Sequence, residues 1–222
     1  MNTERSFGLW LRWIGANALA ELAGLGATLA LDFVIISRIA AARTVAASLA
    51  AIVLMTATGA VEGLVVGLLQ WSVLRRPFAD ITRRAWVLAT VTGAVVAWFL
   101  GSLPSTLTDM GAPQGAAPVA EPPLAIVLLL AAGMGFVLGA VLAYPQWRVL
   151  RQAAAGAWVW VPANCLAWAG GMALIFAAID VAQRGSSTGQ ALAIAGAGLL
   201  LTGALVGSVH GLALVWLAQK RT

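Results

Sequence analysis

Six long apolar stretches alternate with short polar or charged breaks, and this pattern predicts six membrane-crossing helices over residues 8–38, 46–73, 86–103, 123–147, 157–180 and 189–218. A crossing needs about 20 predominantly apolar residues, and charge or Pro/Gly-rich clusters mark where each one stops. The longest break, 104–122 (PSTLTDMGAPQGAAPVAEP), is rich in proline and carries no Lys or Arg, so it is expected to be one long outer loop. Composition agrees with the pattern. With 61% apolar residues, 9% charged residues and a mean hydropathy of +0.93, the chain falls outside the range of soluble domains. Residues 1–222 are expected to form a single transmembrane domain, all-α and polytopic.

The order of residues inside the spans repeats. Gly59, Gly63, Gly67, Gln70-Trp71, Val73-Leu74-Arg75 and Trp86-Val87-x-Ala89-Thr90 recur as Gly135, Gly139, Ala143, Gln146-Trp147, Val149-Leu150-Arg151 and Trp160-Val161-x-Ala163-Asn164. A third copy emerges when the chain is read as a circle. Gly203, Gly207 and Gly211 supply its glycine half, Trp13-Ile14-x-Ala16-Asn17 the other, and Leu214 replaces the glutamine. The expected architecture is three helical hairpins (spans 2–3, 4–5 and 6–1) related by a pseudo-threefold axis along the membrane normal. Small residues every fourth position line one face of spans 2, 4 and 6 and let backbones approach closely.

Charge sets an expected orientation. Arg5, Arg12, Arg75, Arg76, Arg83, Arg84, Arg148, Arg151, Lys220 and Arg221 fall on one side of the six-span arrangement, and only Arg38, Arg43 and Arg184 on the other. Cytoplasmic loops collect Lys and Arg, so both termini are expected in the cytoplasm. The net charge of +5 then reads as topology and as contact with anionic headgroups of the bilayer, with no nucleic-acid partner. Ala18-Leu19-Ala20 resembles a cleavage site, but Arg12 interrupts the apolar run before it, so no cleavable signal peptide is expected. The lone Cys165 excludes an intrachain disulfide and a cysteine metal cluster, and its apolar neighbours suit a buried inert thiol.

Each repeated motif has a structural reading beside a functional one. The glycines read first as packing seams, and Trp13, Trp71, Trp86, Trp147 and Trp160 as an aromatic belt at the cytoplasmic interface. Gln70 and Gln146 read as bridges between hairpins, with Asn17, Thr90 and Asn164 as partners.

Polar residues that break the repeat carry the candidate chemistry. Asn17, Glu21, Thr28 and Asp32 follow one another at spacings of 4, 7 and 4, a single stripe on span 1. Glu62 on span 2 and His210 on span 6 stand where the other copies carry apolar residues, at a depth similar to Glu21. An ionisable group there costs about 2.5–3.5 kcal/mol for Asp and normally finds a partner. Glu21 with His210 is the expected pair, either as a buried lock on helix register or as a proton or solute site. Ser208 and His210 lie two apart on a helix and do not face each other, and no GxSxG, HExxH, CxxC or P-loop occurs. A non-enzymatic protein is therefore expected. One histidine leaves at most a single axial haem ligand, and nothing in the spacing of Glu21, Glu62 and His210 demands a metal, so the cofactor is left open.

Six helices in three hairpins are also found in mitochondrial carriers, but the proline-acid-basic signature of that family is absent and its function is not carried over. The repeated QW-x-VLR with W-V-x-A-T/N resembles a group of small, uncharacterised bacterial multispanning proteins with Gly-rich helices and Gln-Trp motifs. The resemblance covers 59–75 and 135–151 well, and the third copy departs from it by lacking Gln-Trp. It implies a bacterial inner-membrane setting. Three functions stay open: a transporter- or channel-like protein handling a small solute or protons; an accessory, scaffold or substrate-binding subunit with a membrane-protein partner or as a homo-oligomer; and, without a recognisable catalytic constellation, an intramembrane enzyme. Six-helix substrate-binding subunits of vitamin transporters are a variant of the second.

Overall fold

The computed structural model describes residues 3–39, 44–111, 122–185 and 187–221. Helices α1 (Thr3–Ala20) and α2 (Gly26–Ile39) are joined end to end by one π-helical turn, Glu21–Leu25. They are followed by α3 (Val45–Leu74), α4 (Arg83–Gly111), α5 (Leu124–Ala153), α6 (Trp160–Gln183) and α7 (Thr188–Gln219). Among the described residues this makes six helical stretches long and apolar enough to cross a membrane, with α1 and α2 forming the first. The protein is an all-helical, multi-pass membrane protein.

Local chemistry sets several of the helix starts. Thr44 caps α3 by accepting from the Ala47 amide (3.1 Å), Thr82 does the same for Ala85 (3.2 Å), and Ser187 caps α7 through Gln190 (3.2 Å). Between α5 and α6 the chain turns at Gly156, whose φ of 78° suits glycine, and a Cβ there would press on the Trp216 ring.

Two helices outrun their expected ends. α4 continues through Pro104 to Gly111, so the first residues of the expected loop 104–122 are helical. The rest of that loop down to residue 121, like Arg43, lies outside the described residues. Hydroxyls sustain this stretch by binding its carbonyls: Ser105 and Thr106 both donate to Ser102 O, and Thr108 donates to Pro104 O. α5 passes Pro145 and runs to Ala153, which places Arg148 and Arg151 in its last turns rather than after it.

The helices pack in a closed circuit in which α3 lies against α4, α4 against α5, α5 against α6, α6 against α7, α7 against α1, and α1 back against α3. Glycines set the closest approaches. A Cβ on Gly63 would come 2.7 Å from Val91 Cα in α4, one on Gly139 2.5 Å from Asn164 O in α6, and one on Gly207 3.0 Å from Ile14 Cα in α1. Only hydrogen fits in these seams, and without a hydrophobic drive in lipid such intimate contact is what holds helices together.

Near the termini the interior is filled by Trp13, Trp86, Trp160, Phe78, Leu74, Leu150, Leu214 and Leu217. All three tryptophans are 0% exposed, which corrects the interfacial-belt expectation for them. Their depth near the helix starts suits headgroups, but their rotation about the helix turns them inward, where Trp160 meets Trp13 and Trp86 edge-on at centroid distances of 6.0 Å. Trp71 and Trp147 differ. They are half-buried and carry Arg75 and Arg151 over their rings at 5.3 and 4.9 Å. A third such pair, Lys220 over Trp216 at 3.8 Å, stands one residue out of register with the repeat.

Candidate functional site

Just inside the tryptophan layer the polar residues of the repeat meet. Asn17, Thr90 and Asn164 each turn back on their own helix: Asn17 Nδ2 donates to Trp13 O (2.8 Å), Thr90 Oγ1 to Trp86 O (3.0 Å) and Asn164 Nδ2 to Trp160 O (2.8 Å). The glutamines cross between helices. Gln70 Nε2 donates to Asn17 Oδ1 (2.8 Å), and Gln146 Nε2 donates to Gln70 Oε1 (3.2 Å) and Thr90 Oγ1 (3.0 Å). Gln146 Oε1 accepts from Trp160 Nε1 at 3.0 Å. Buried amides bonded in this way tie α1, α3, α4, α5 and α6 together at one level.

Where α7 carries Leu214, the pattern changes. Trp13 Nε1 donates to His210 Nδ1 at 2.8 Å, one turn before the leucine. The imidazole lies between two indoles, with ring centroids 5.7 Å from Trp13 and 5.2 Å from Trp160. The expected Glu21–His210 bond is not formed; the partner the imidazole has is Trp13, at Nδ1. Trp86 Nε1, the third indole, is buried without a partner.

Beyond this layer a small cavity opens, with room of about 20 Å³ for water, which fits one molecule. Asn17, Glu21, Glu62, Gln70, Gln146 and His210 all line it, as do Thr90, Asn164 and Trp168. Glu21 is 1% exposed and its Oε2 has no hydrogen-bond partner in the protein. It opens the π-helical turn, where the chain admits an extra residue and Gly24 sits against the Glu62 backbone (3.3 Å from its would-be Cβ to Glu62 O). Single π turns recur at functional sites. Glu62 is held differently, since its Oε2 accepts from Trp98 Nε1 at 2.7 Å. The Trp98 ring occupies the space that a side chain on Gly59 would take.

Thr28 and Asp32 are buried on the same stripe but do not line this cavity. Thr28 Oγ1 donates to Thr58 O (3.1 Å), and Thr58 Oγ1 lies 2.6 Å from Asp32 Oδ1, which makes a separate polar contact between α2 and α3. Trp98 and the π turn were not anticipated from sequence. Trp98 lies five residues from the end expected for its span at 103 and comes to mid-helix only because α4 continues to Gly111, and the turn leaves no mark in apolar periodicity. Among the described residues no group of three His, Cys, Asp or Glu is placed to hold a metal ion.

Fold and site together define a multi-pass helical membrane protein with a water-sized polar cavity buried in the bundle. Comparison with protein families, with curated proteins and with solved structures finds no match.

Proposed function

We propose that the protein is transporter- or channel-like and handles protons at Glu21 and Glu62. One observation carries this reading: Glu21 is fully buried in a bilayer-spanning stretch, one of its oxygens lacks a protein partner, and it faces a cavity shared with a second carboxylate. A carboxylate so placed is costly, and a function that exchanges a proton accounts for its retention. A cavity of one-water size favours protons over an organic solute. We also propose that the three hairpins are related by a pseudo-threefold axis, with both termini on the cytoplasmic side of a bacterial inner membrane. The matching side-chain bonds of Asn17, Thr90 and Asn164 support the first, and the ten-to-three division of basic residues supports the second.

The test is proton flux into liposomes carrying the purified protein and an internal pH dye, under an imposed potential. Wild type is expected to dissipate the gradient, and Glu21→Gln and Glu62→Gln to lower the rate at least tenfold while both variants still fold, Glu62→Gln with a cost of no more than about 1 kcal/mol. Equal rates in wild type, both variants and empty liposomes would overturn the reading.

A second reading, an accessory subunit, is favoured by a different feature. An apolar groove of about 340 Å³ runs between α2, α6 and α7, edged by Ala178, Ala182, Ala191, Ala195 and Gly198. Small residues of this kind suit a partner helix. Native mass spectrometry from gentle detergent would find a stoichiometric partner under this reading, and monomer or homo-oligomer alone would count against it.

A further inference from the structure

The bond between Trp13 and His210 determines more than packing. An indole N–H only donates, so His210 Nδ1, 2.8 Å away, must be the bare, accepting nitrogen. The neutral ring then carries its proton on Nε2. Charging the ring would set an Nδ1–H donor against the Trp13 N–H donor, with the Trp13 and Trp160 rings flanking the imidazole on either hand.

His210 therefore brings a donor to the cavity wall, and Glu21 brings an unpartnered acceptor, Oε2. No direct hydrogen bond joins the two. Around the cavity the titratable groups are Glu21 from the π turn, Glu62 from α3 and His210 from α7, while α4, α5 and α6 contribute only Thr90, Ala94, Leu142, Gln146, Asn164 and Trp168. Most of the other polar walls have partners: Asn17, Gln70, Gln146 and Thr90 bond to one another, Asn164 Nδ2 bonds to Trp160 O, and Glu62 Oε2 is taken by Trp98.

We propose that the cavity is a binding site for one water-sized molecule that accepts from His210 Nε2–H and donates to the Glu21 carboxylate, with Trp13 as the positioning residue that holds the imidazole in its donor form. Water itself is the ligand this chemistry describes. It has an acceptor lone pair for the imidazole and a proton for the carboxylate, and the space of about 20 Å³ admits one such molecule. His210 is then a fixed donor and a dead end for proton hopping toward the termini, because Trp13 accepts no proton. Mobile protons are then those of Glu21, Glu62 and the bound water, with Asp32, whose Oδ2 is also buried without a partner, the next carboxylate beside Glu62. This inference deepens the proton-handling reading and names what the site binds.

His210 is the only histidine of the chain, so ¹⁵N-histidine labelling of the full-length protein in lipid bilayers reports on it alone. Solid-state NMR is expected to show one neutral ring, protonated at Nε2 and bare at Nδ1, unchanged from about pH 5 to 8, the range in which an ordinary histidine changes charge. The Nε2 proton is expected to correlate with water protons. In Trp13→Phe the single form should be replaced by mixed tautomers and, at low pH, by the imidazolium. A wild-type ring protonated at Nδ1, a charged ring within that range, or an Nε2 proton correlating directly with a glutamate carboxyl carbon would each overturn the proposal. The wild-type spectrum decides even where Trp13→Phe does not fold. A fixed Nε2–H form in a protein without proton flux would refute the proton-handling reading and leave the water site standing, while flux with a titrating histidine would do the reverse.

Discussion

Two polar layers lie one above the other inside this bundle, and they are built on opposite terms. In the amide and indole layer the residues recur through the sequence repeat, and nearly every group is paired: Gln146 alone bonds to Gln70, Thr90 and Trp160. In the carboxylate layer the residues are unique to one copy each. Glu62 has one partner in Trp98, and Glu21 keeps an oxygen with none. Repeated polar residues thus serve the frame, which each hairpin must form. Of the polar residues that break the repeat, Glu62, His210 and Asp32 also find partners, whereas Glu21 Oε2 and Asp32 Oδ2 are buried without one.

The strongest way to break the comparison is to remove the seams that bring both layers together. Gly139→Ala places a methyl 2.5 Å from Asn164 O and 2.9 Å from Cys165 Cα, both backbone atoms that have nowhere to go. Overpacking of this kind costs about 1–3 kcal/mol and sometimes more, and we expect the variant to lose most of its monodisperse protein in detergent. Gly133→Ala, where a Cβ meets nothing within 4 Å, is the control and should match wild type in yield and thermal midpoint.

Within the frame, Gln146→Leu copies onto α5 the residue that α7 already carries at position 214. It strands the Trp160 N–H and leaves Gln70 and Thr90 each short of a partner, a cost of about 1–3 kcal/mol for a buried group left unpaired. A fall in thermal midpoint is the expected result. If stability held, the amide layer would be ornamental and its contrast with the carboxylates would vanish.

Much of the frame was legible because it depends on period and order alone. Apolar runs located six spans, and the shared order of Gly, Gln, Trp and Asn/Thr pointed to seams that the close approaches at Gly63, Gly139 and Gly207 display. Direction was harder to read. In a span that is apolar all round, depth can be counted along the chain, but nothing tells which side faces lipid, so Trp13, Trp86 and Trp160 were assigned to an interface when they point inward. Partners were harder still. Glu21 and His210 line one cavity, yet the hydrogen bond found at the imidazole is to Trp13, a partner that counting along the chain does not reveal. Trp98 reaches Glu62 only because Gly59 leaves room for its ring.

In the carboxylate layer the expected stability effects are smaller and differ between the two acids. Glu62→Gln keeps a carbonyl for Trp98 Nε1 but weakens a charge-assisted bond, at a cost of about 1 kcal/mol. Glu21→Gln breaks no protein hydrogen bond at Oε2 and removes an ionisable group from the bilayer, so its thermal midpoint should equal or exceed that of wild type. A large fall for Glu21→Gln in a detergent melt would mark Glu21 as part of the frame and erase the distinction between the layers.

The smallest effect is expected at the rim, where the same distinction appears a third time. Trp71 with Arg75, Trp147 with Arg151 and Trp216 with Lys220 set a cation over an indole at the termini end of α3, α5 and α7, although the last pair is shifted by one residue. An anchor to the headgroup layer, unlike a contact inside the bundle, would tolerate that shift of register. Lys220→Ala should then lower stability in detergent by no more than about 0.5–1 kcal/mol, the worth of an exposed cation–π contact. In liposomes containing anionic lipid the difference should widen, because the lysine also meets the headgroups there. Equal losses in neutral and anionic bilayers would reduce the pair to a side-chain contact and leave the interior layers as the only places where repetition and function part.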